Sequence, residues 1–77
     1  MTRLQLLDNK LSAVWSRLIY LRRGRDELEA AARRKRKAET RDPILARIAS
    51  IDTQIKAAER EEWDADDERY DLIWRRR

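Results

Sequence analysis

Apolar residues recur along the first half of the chain at alternating steps of three and four, and the same spacing resumes in the second half. Such steps place side chains on one stripe of an α-helix. The first stripe consists of Leu4, Leu7, Leu11, Val14, Leu18, Leu21 and Leu28. The second consists of Ile44, Ile48, Ile51 and Ile55. Two apolar stripes joined by a few residues predict an all-α fold, an antiparallel, coiled-coil-like hairpin of two helices.

The first helix is predicted to run from about residue 2 to about residue 39. Thr2 is a favourable N-cap, and Gln5, three residues later, completes a capping box. Gly24 lies in the middle of this segment, where a glycine costs about 1 kcal/mol relative to alanine. The helix either tolerates that glycine or breaks there, and a break would give three helices instead of two.

The second helix is predicted to run from about residue 43 to about residue 75, after a turn at about residues 40–42. Asp42 is a good N-cap, and Pro43 suits the first helical position because the N–H group that it lacks is unpaired there in any case. The 77 residues are therefore expected to form a single hairpin domain. A turn centred near residue 41 also sets the register, and it pairs Trp63 with Ile19.

The charges of the chain are distributed unevenly. Charged residues make up 44% of the sequence and leave a net charge of +4. Residues 1–41 carry a net charge of +7, whereas residues 42–77 carry −3. Opposite signs favour the antiparallel pairing of the two helices, although each exposed ion pair contributes only about 0–1 kcal/mol.

The residue types needed for most catalytic and metal sites are missing. The sequence contains no cysteine and no histidine, which excludes disulfides, thiolate ligands and the most common general base. We expect a non-enzymatic protein with no catalytic residues, no metal, no cofactor and no small-molecule substrate. Because the sequence shows neither a signal peptide nor an apolar run of membrane-spanning length, we expect it to act in the cytoplasm or within an assembled particle and not in a membrane.

Large apolar residues outside the two stripes form a second apolar face near the open end of the hairpin, where the termini meet. They are Trp15, Ile19, Trp63, Tyr70 and Trp74. An apolar face beyond what a two-helix hairpin can bury is typical of a partner site. The simplest partner is a second copy, which would complete a homodimeric four-helix bundle. A larger protein complex is another candidate, and in a third interpretation the rings only cover the flank of the hairpin.

The strongest charged feature is a run of cations near the turn, which we call the basic tip. It comprises Arg33, Arg34, Lys35, Arg36, Lys37 and Arg41. Such runs are typical of sites that contact polyanions. Contact with nucleic-acid phosphates, contact with an acidic protein surface and simple solvation of a helix end all remain open. No aromatic residue is interleaved with these cations, which weakens the case for base stacking.

Three charged residues interrupt the apolar stripes: Arg25, Glu62 and Arg69. A charged residue in a helical seam lowers stability but can fix register and orientation. We interpret the three as register-setting residues. Together, these patterns favour a protein–protein interaction or assembly module, such as an accessory subunit, an assembly component or an inhibitor. The alternative is a nucleic-acid-associated module that contacts phosphates non-specifically through the basic tip.

Overall fold

The chain forms a rod of two long helices. The computed structural model describes residues 1–74 in full and the backbone of Arg75. Helix α1 spans Arg3–Arg34, and helix α2 spans Ala38–Tyr70 and continues as a π-helical turn over Asp71–Arg75. The rod measures 60 × 16 × 14 Å. No strand occurs among residues 1–75, which confirms the all-α helical hairpin. Neither described helix contains a segment long and apolar enough to cross a lipid bilayer.

Helix α1 begins with the predicted capping box. The hydroxyl oxygen of Thr2 accepts a hydrogen bond of 3.2 Å from the backbone N–H of Gln5, and Gln5 Oε1 accepts one of 2.8 Å from the backbone N–H of Thr2. These two bonds satisfy donors that a helix start leaves free. The helix then continues through Gly24 without a break, so residues 1–75 form two α-helices and not three.

The predicted turn at residues 40–42 is wrong, because the chain turns five residues earlier. Helix α1 ends at Arg34, residues 35–37 form the connection, and α2 begins at Ala38. Both ends of the connection are extended, with φ/ψ of −95°/120° at Lys35 and −89°/132° at Lys37. Pro43 consequently lies inside α2, at its sixth residue.

The basic run explains the earlier turn. A helix continued through residues 33–37 would place like charges three and four residues apart, and each such pair is destabilising by a few tenths of a kcal/mol. Starting α2 at Ala38 instead puts Glu39 in the first turn, where the helix dipole favours an acidic side chain. Pro43 removes the bond to the Glu39 carbonyl, but both residues are exposed, so water can bind that carbonyl.

The core is a single seam between the helices. Its buried apolar residues are Leu7, Leu11, Val14, Leu18, Leu21, Ala32, Ile48, Ile55, Ala58 and Ala65. Eight of them form one cluster around Leu18 and Ala58 and a second around Leu11 and Ala65, nearer the open end, whereas Ala32 and Ile48 belong to neither cluster. Large residues of α1 thus pack against alanines of α2, which lets the helices approach closely. Both apolar stripes face each other as predicted, although Leu4 and Leu28 of the first and Ile44 and Ile51 of the second are only half-buried.

Candidate interaction surfaces

Among the described side chains, four ion pairs that cross the seam define the register of the hairpin. They are Arg3–Glu68, Asp8–Arg69, Arg17–Glu61 and Arg25–Asp52. The residue numbers of each pair add up to between 71 and 78, instead of the 82 that a turn near residue 41 requires. The predicted pairing of Trp63 with Ile19 is therefore wrong, and Trp63 lies about two helical turns closer to the open end than Ile19.

Arg25 is the most fully paired charge in the seam. Its Nε donates to Asp52 on α2, and its Nη1 donates to Glu29 at 2.6 Å. The hydrogen bond to Asp52 is the main reason why the pKa of Arg25 rises above its already high ordinary value. Two anionic neighbours thus surround the Arg25 guanidinium at this point of the seam. Sequence reasoning missed Asp52 because it placed the turn too late, whereas Glu29 lies one helical turn from Arg25 on the same helix.

The other two proposed register residues differ from each other. Arg69 is half-buried, and its Nε donates to Asp8 of α1 at 2.8 Å. Glu62 is also half-buried, but it forms no ion pair with another described residue. The register-setting role of Arg25, Glu62 and Arg69 stays a prediction. Of these three residues, Arg25 and Arg69 form ion pairs between the two helices, and Glu62 does not form one with another described residue.

The large apolar residues that lie outside the seam are strongly exposed. Trp15 is 46% exposed, Ile19 60%, Trp63 73%, Tyr70 60% and Trp74 56%. We call these five residues the aromatic flank. Water contacts roughly half or more of each side chain, so the hairpin core does not account for them.

On α1, the members of the aromatic flank directly follow seam residues. Trp15 follows Val14, and Ile19 follows Leu18, and both seam residues are 2% exposed. One step along an α-helix rotates the side chain by about 100°. Trp15 and Ile19 are therefore rotated out of the seam in the same sense and lie one turn apart on the same side of α1.

The α2 members follow the same rule. Trp63 follows Glu62 and Tyr70 follows Arg69, and both preceding residues lie half-buried in the seam. In an antiparallel pair of helices, an equal rotation in the same sense brings side chains to the same flank. Trp74 extends this flank, because its ring lies 6.2 Å from that of Tyr70 at an interplanar angle of 37°. All five predicted interface residues therefore share one flank, spread along the open half of the rod.

Tyr20 does not belong to this flank. It directly precedes the seam residue Leu21 and is therefore rotated the opposite way, and it is 79% exposed. It borders a groove of about 510 Å³ on the other flank, together with Gly24, Leu28 and Ile51. Tyr20 is thus an exposed aromatic residue of the same hairpin that can serve as a matched control.

The basic tip projects into solvent. All six of its side chains are exposed, and none forms an ion pair with another residue of the described chain. Arg33 and Arg34 end α1, three cations form the connection, and Arg41 lies in the second turn of α2. Their charges are therefore uncompensated within the hairpin.

A groove of about 540 Å³ lies beside the basic tip, and we call it the tip groove. It is lined by Arg25, Glu29, Ala32, Arg33, Lys35, Arg41, Leu45 and Ile48. Ala32 and Ile48, which are buried (7% and 8% exposed), form an apolar floor. Leu45 borders this floor and is 45% exposed. Because Glu29 is paired with Arg25 at 2.6 Å, the charges left free on the rim are cationic. Sequence reasoning missed this groove, which only the earlier turn creates.

No cluster of three or more acidic side chains close enough to hold a metal ion occurs in the described part of the chain. Comparisons with models of protein families, with curated proteins and with solved structures give no match to this chain. The aromatic flank, the tip groove and the basic tip are therefore the features from which a function can be argued.

Proposed function

We propose that this chain is a non-enzymatic interaction and assembly module that binds a protein partner through the aromatic flank. The observation that carries the proposal is the alignment of five large, exposed apolar residues on one flank. With roughly 150–250 Å² per aromatic side chain, the four rings alone expose about 500 Å². That area is close to that of the largest apolar patches on ordinary monomers. It is also a large part of the roughly 800 Å² that each partner contributes to a standard interface.

The kind of partner follows from the shape of the surface. The flank is long, narrow and built on rigid helices, so it suits another helical surface packed alongside it. A second copy or a subunit of a larger complex meets this requirement. In the cytoplasm or within an assembled particle, the chain would then act as an accessory subunit, an assembly component or an inhibitor.

The test compares two variants of the full chain. Trp15→Gln combined with Trp63→Gln removes the centre of the aromatic flank, whereas Tyr20→Gln removes an exposed ring from the other flank. We expect the double variant to lose association, measured by sedimentation velocity for the chain alone and by co-purification from the native host. The Tyr20 variant should keep it, and circular dichroism should show both variants to be helical.

Two outcomes would contradict the proposal. Equal association of the double variant and the wild type would show that the flank is not the binding surface. A loss of helicity in the double variant would assign the two rings to the stability of the hairpin instead. The single variants Trp15→Gln and Trp63→Gln then separate folding from binding, because the two residues lie on different helices.

The basic tip supports a second candidate function, binding of nucleic-acid phosphates. It is supported by six exposed cations that lack ion-pair partners within the described chain. If all six contact phosphates, affinity for duplex DNA should fall about a thousandfold between 50 and 200 mM salt. Arg33→Gln with Arg34→Gln and Arg36→Gln should flatten that dependence, and an unchanged slope would exclude the tip as the phosphate site.

A further inference from the structure

We infer that the partner of the aromatic flank is a second copy of this chain, packed antiparallel about a two-fold axis so that Trp63 of each hairpin enters the tip groove of the other. This inference rests on the proposed function and specifies its partner. Its first support is that the aromatic flank and the tip groove lie on the same flank. Leu45 and Trp63 are 18 residues apart in α2, which is about five full helical turns, so the two side chains point the same way.

The order of residues along α2 makes this flank complementary to itself. A cation and an apolar residue, Arg41 and Leu45, lie at the tip end, and an aromatic residue and an acid, Trp63 and Asp66, lie at the open end. A second α2 laid alongside in the reverse direction places Trp63 over Leu45 and Asp66 over Arg41. In a two-fold dimer both contacts occur twice, because residue i contacts j wherever j contacts i.

The tip groove has the chemistry to accept an indole ring. Its floor is apolar at Ala32 and Ile48, and its rim carries Arg33 and Arg41 without ion-pair partners in the described chain. An arginine against an aromatic face gains a cation–π interaction. Trp63, at 73% exposure, is the most exposed ring of the flank and lies at the level that an antiparallel copy brings to this groove.

The distribution of charge selects the antiparallel arrangement over the parallel one. A parallel dimer would place two basic tips, each with six cations, side by side. An antiparallel dimer instead places each basic tip over about residues 65–72 of the other copy, which carry four acidic side chains and one basic side chain. Asp66 in that segment and Arg41 in the tip are both exposed and form no ion pair within the described hairpin.

The symmetry also limits the size of the assembly. Because the same flank is used on both copies, the contact closes at two chains and does not propagate into a filament. The product is a four-helix bundle in which each basic tip covers the open end of its neighbour. In this alignment the two-fold axis crosses the aromatic flank at the level of residue 54 along α2, midway between Leu45 and Trp63.

The arrangement is tested by a distance between copies. The sequence has no cysteine, so Ala38→Cys, an exposed site at the start of α2, can carry a single spin label without further substitution. Ala38 lies 16 residues from the predicted axis, so the two labels in a dimer should be about 50 Å apart at 1.5 Å per residue. The measurement is double electron–electron resonance on the full chain, with sedimentation equilibrium to establish the dimer.

The distance between the labels and the oligomeric state both test the antiparallel dimer. A distance near 50 Å supports the antiparallel dimer. A distance below about 25 Å indicates neighbouring tips and overturns it, as does a monomer at tens of micromolar. If the chain is a monomer, the proposed function is tested separately by co-purification. A host protein should then co-purify with the wild type and with Tyr20→Gln, but not with the variants at Trp15 and Trp63.

A charge exchange tests the contact itself. Arg41→Asp should weaken dimerisation about tenfold, because it removes two symmetry-related attractions and creates two repulsions. Adding Asp66→Arg to the same chain should restore the affinity, whereas Arg47→Asp, on the opposite flank, should leave it within about twofold of wild type. Dimerisation of Arg41→Asp at wild-type affinity, or failure of Asp66→Arg to restore it, would contradict the predicted register.

Discussion

Arg69 of α2 donates a hydrogen bond of 2.8 Å from Nε to Oδ1 of Asp8 on α1, and this pair joins the second turn of one helix to the last turn of the other. The side chains are 43% and 50% exposed. Ion pairs this exposed contribute only about 0–1 kcal/mol, because water screens them and two long side chains lose freedom. The apolar seam therefore supplies most of the stability at this end, and the pair mainly favours one register.

A double-mutant cycle on Asp8→Ala and Arg69→Ala measures this contribution. We expect a coupling free energy of at most about 1 kcal/mol in urea unfolding, and a smaller value in 1 M salt. A coupling above about 2 kcal/mol would mean that the pair is shielded from water in solution, for example by a bound partner. Repeating the cycle at a tenfold lower protein concentration distinguishes these cases.

Leu18→Ala should largely unfold the hairpin. Leu18 is 2% exposed at the centre of one core cluster, and such truncations cost about 2–5 kcal/mol. A chain of this size is stabilised by only a few kcal/mol. Ile19→Ala, at the next residue, is the matched control and should change stability by less than about 0.5 kcal/mol in dilute solution. The measurement is thermal unfolding followed by circular dichroism, and equal losses in the two variants would contradict the assigned seam.

Pro43→Ala tests the position of the turn, because the sign of the change in the free energy of unfolding depends on where α2 begins. If α2 begins at Ala38, Pro43 is an interior helical residue, so alanine restores the bond to the Glu39 carbonyl and stabilises the protein by up to about 3 kcal/mol. If α2 began at Pro43, proline would be favourable at the first position and alanine would destabilise. We expect the stabilising result in urea unfolding.

Gly24→Ala should also stabilise the hairpin. Gly24 has no positive φ, and a Cβ atom added there would have no atom within 4 Å outside its local helical backbone. Alanine is better than glycine in a helix interior by about 1 kcal/mol, which corresponds to a rise of about 4–8 °C in the melting temperature. A lower melting temperature would show that something approaches the Gly24 backbone closely in solution, on the flank opposite the aromatic flank.

The two apolar stripes were predictable because a helical period is a property of one segment at a time. Leu11, Val14 and Leu18 are buried as that period requires. The turn was not predictable by the same means. The signal at Asp42-Pro43 is local and strong, whereas the repulsion along the basic run is spread over many weak pairs. The turn at residues 35–37 therefore depends on whether these many weak repulsions outweigh the local Asp42-Pro43 signal, and no single sequence motif indicates that.

For the candidate surfaces too, some features were predictable from the sequence and others were not. The exposure of Trp63 and Tyr70 followed from their positions outside the stripe. The register did not follow from the sequence, because it depends on where the chain turns, and so the pairing of Arg25 with Asp52 and the existence of the tip groove were missed. A register deduced from opposite charges, with Asp52 facing Arg25, would have revealed the earlier turn.

The three-residue connection between Arg34 and Ala38 has a consequence for how the protein responds to dilution. A tether this short holds α1 and α2 at an effective concentration in the millimolar range, so folding of one hairpin does not depend on how much protein is present. Exposed and rich in lysine and arginine, the connection is also the natural site for a trypsin-like protease. A single cut there would turn an intramolecular pairing into a bimolecular one, and a seam to which α2 contributes mainly alanines in its open half would then hold the two halves together only at high concentration.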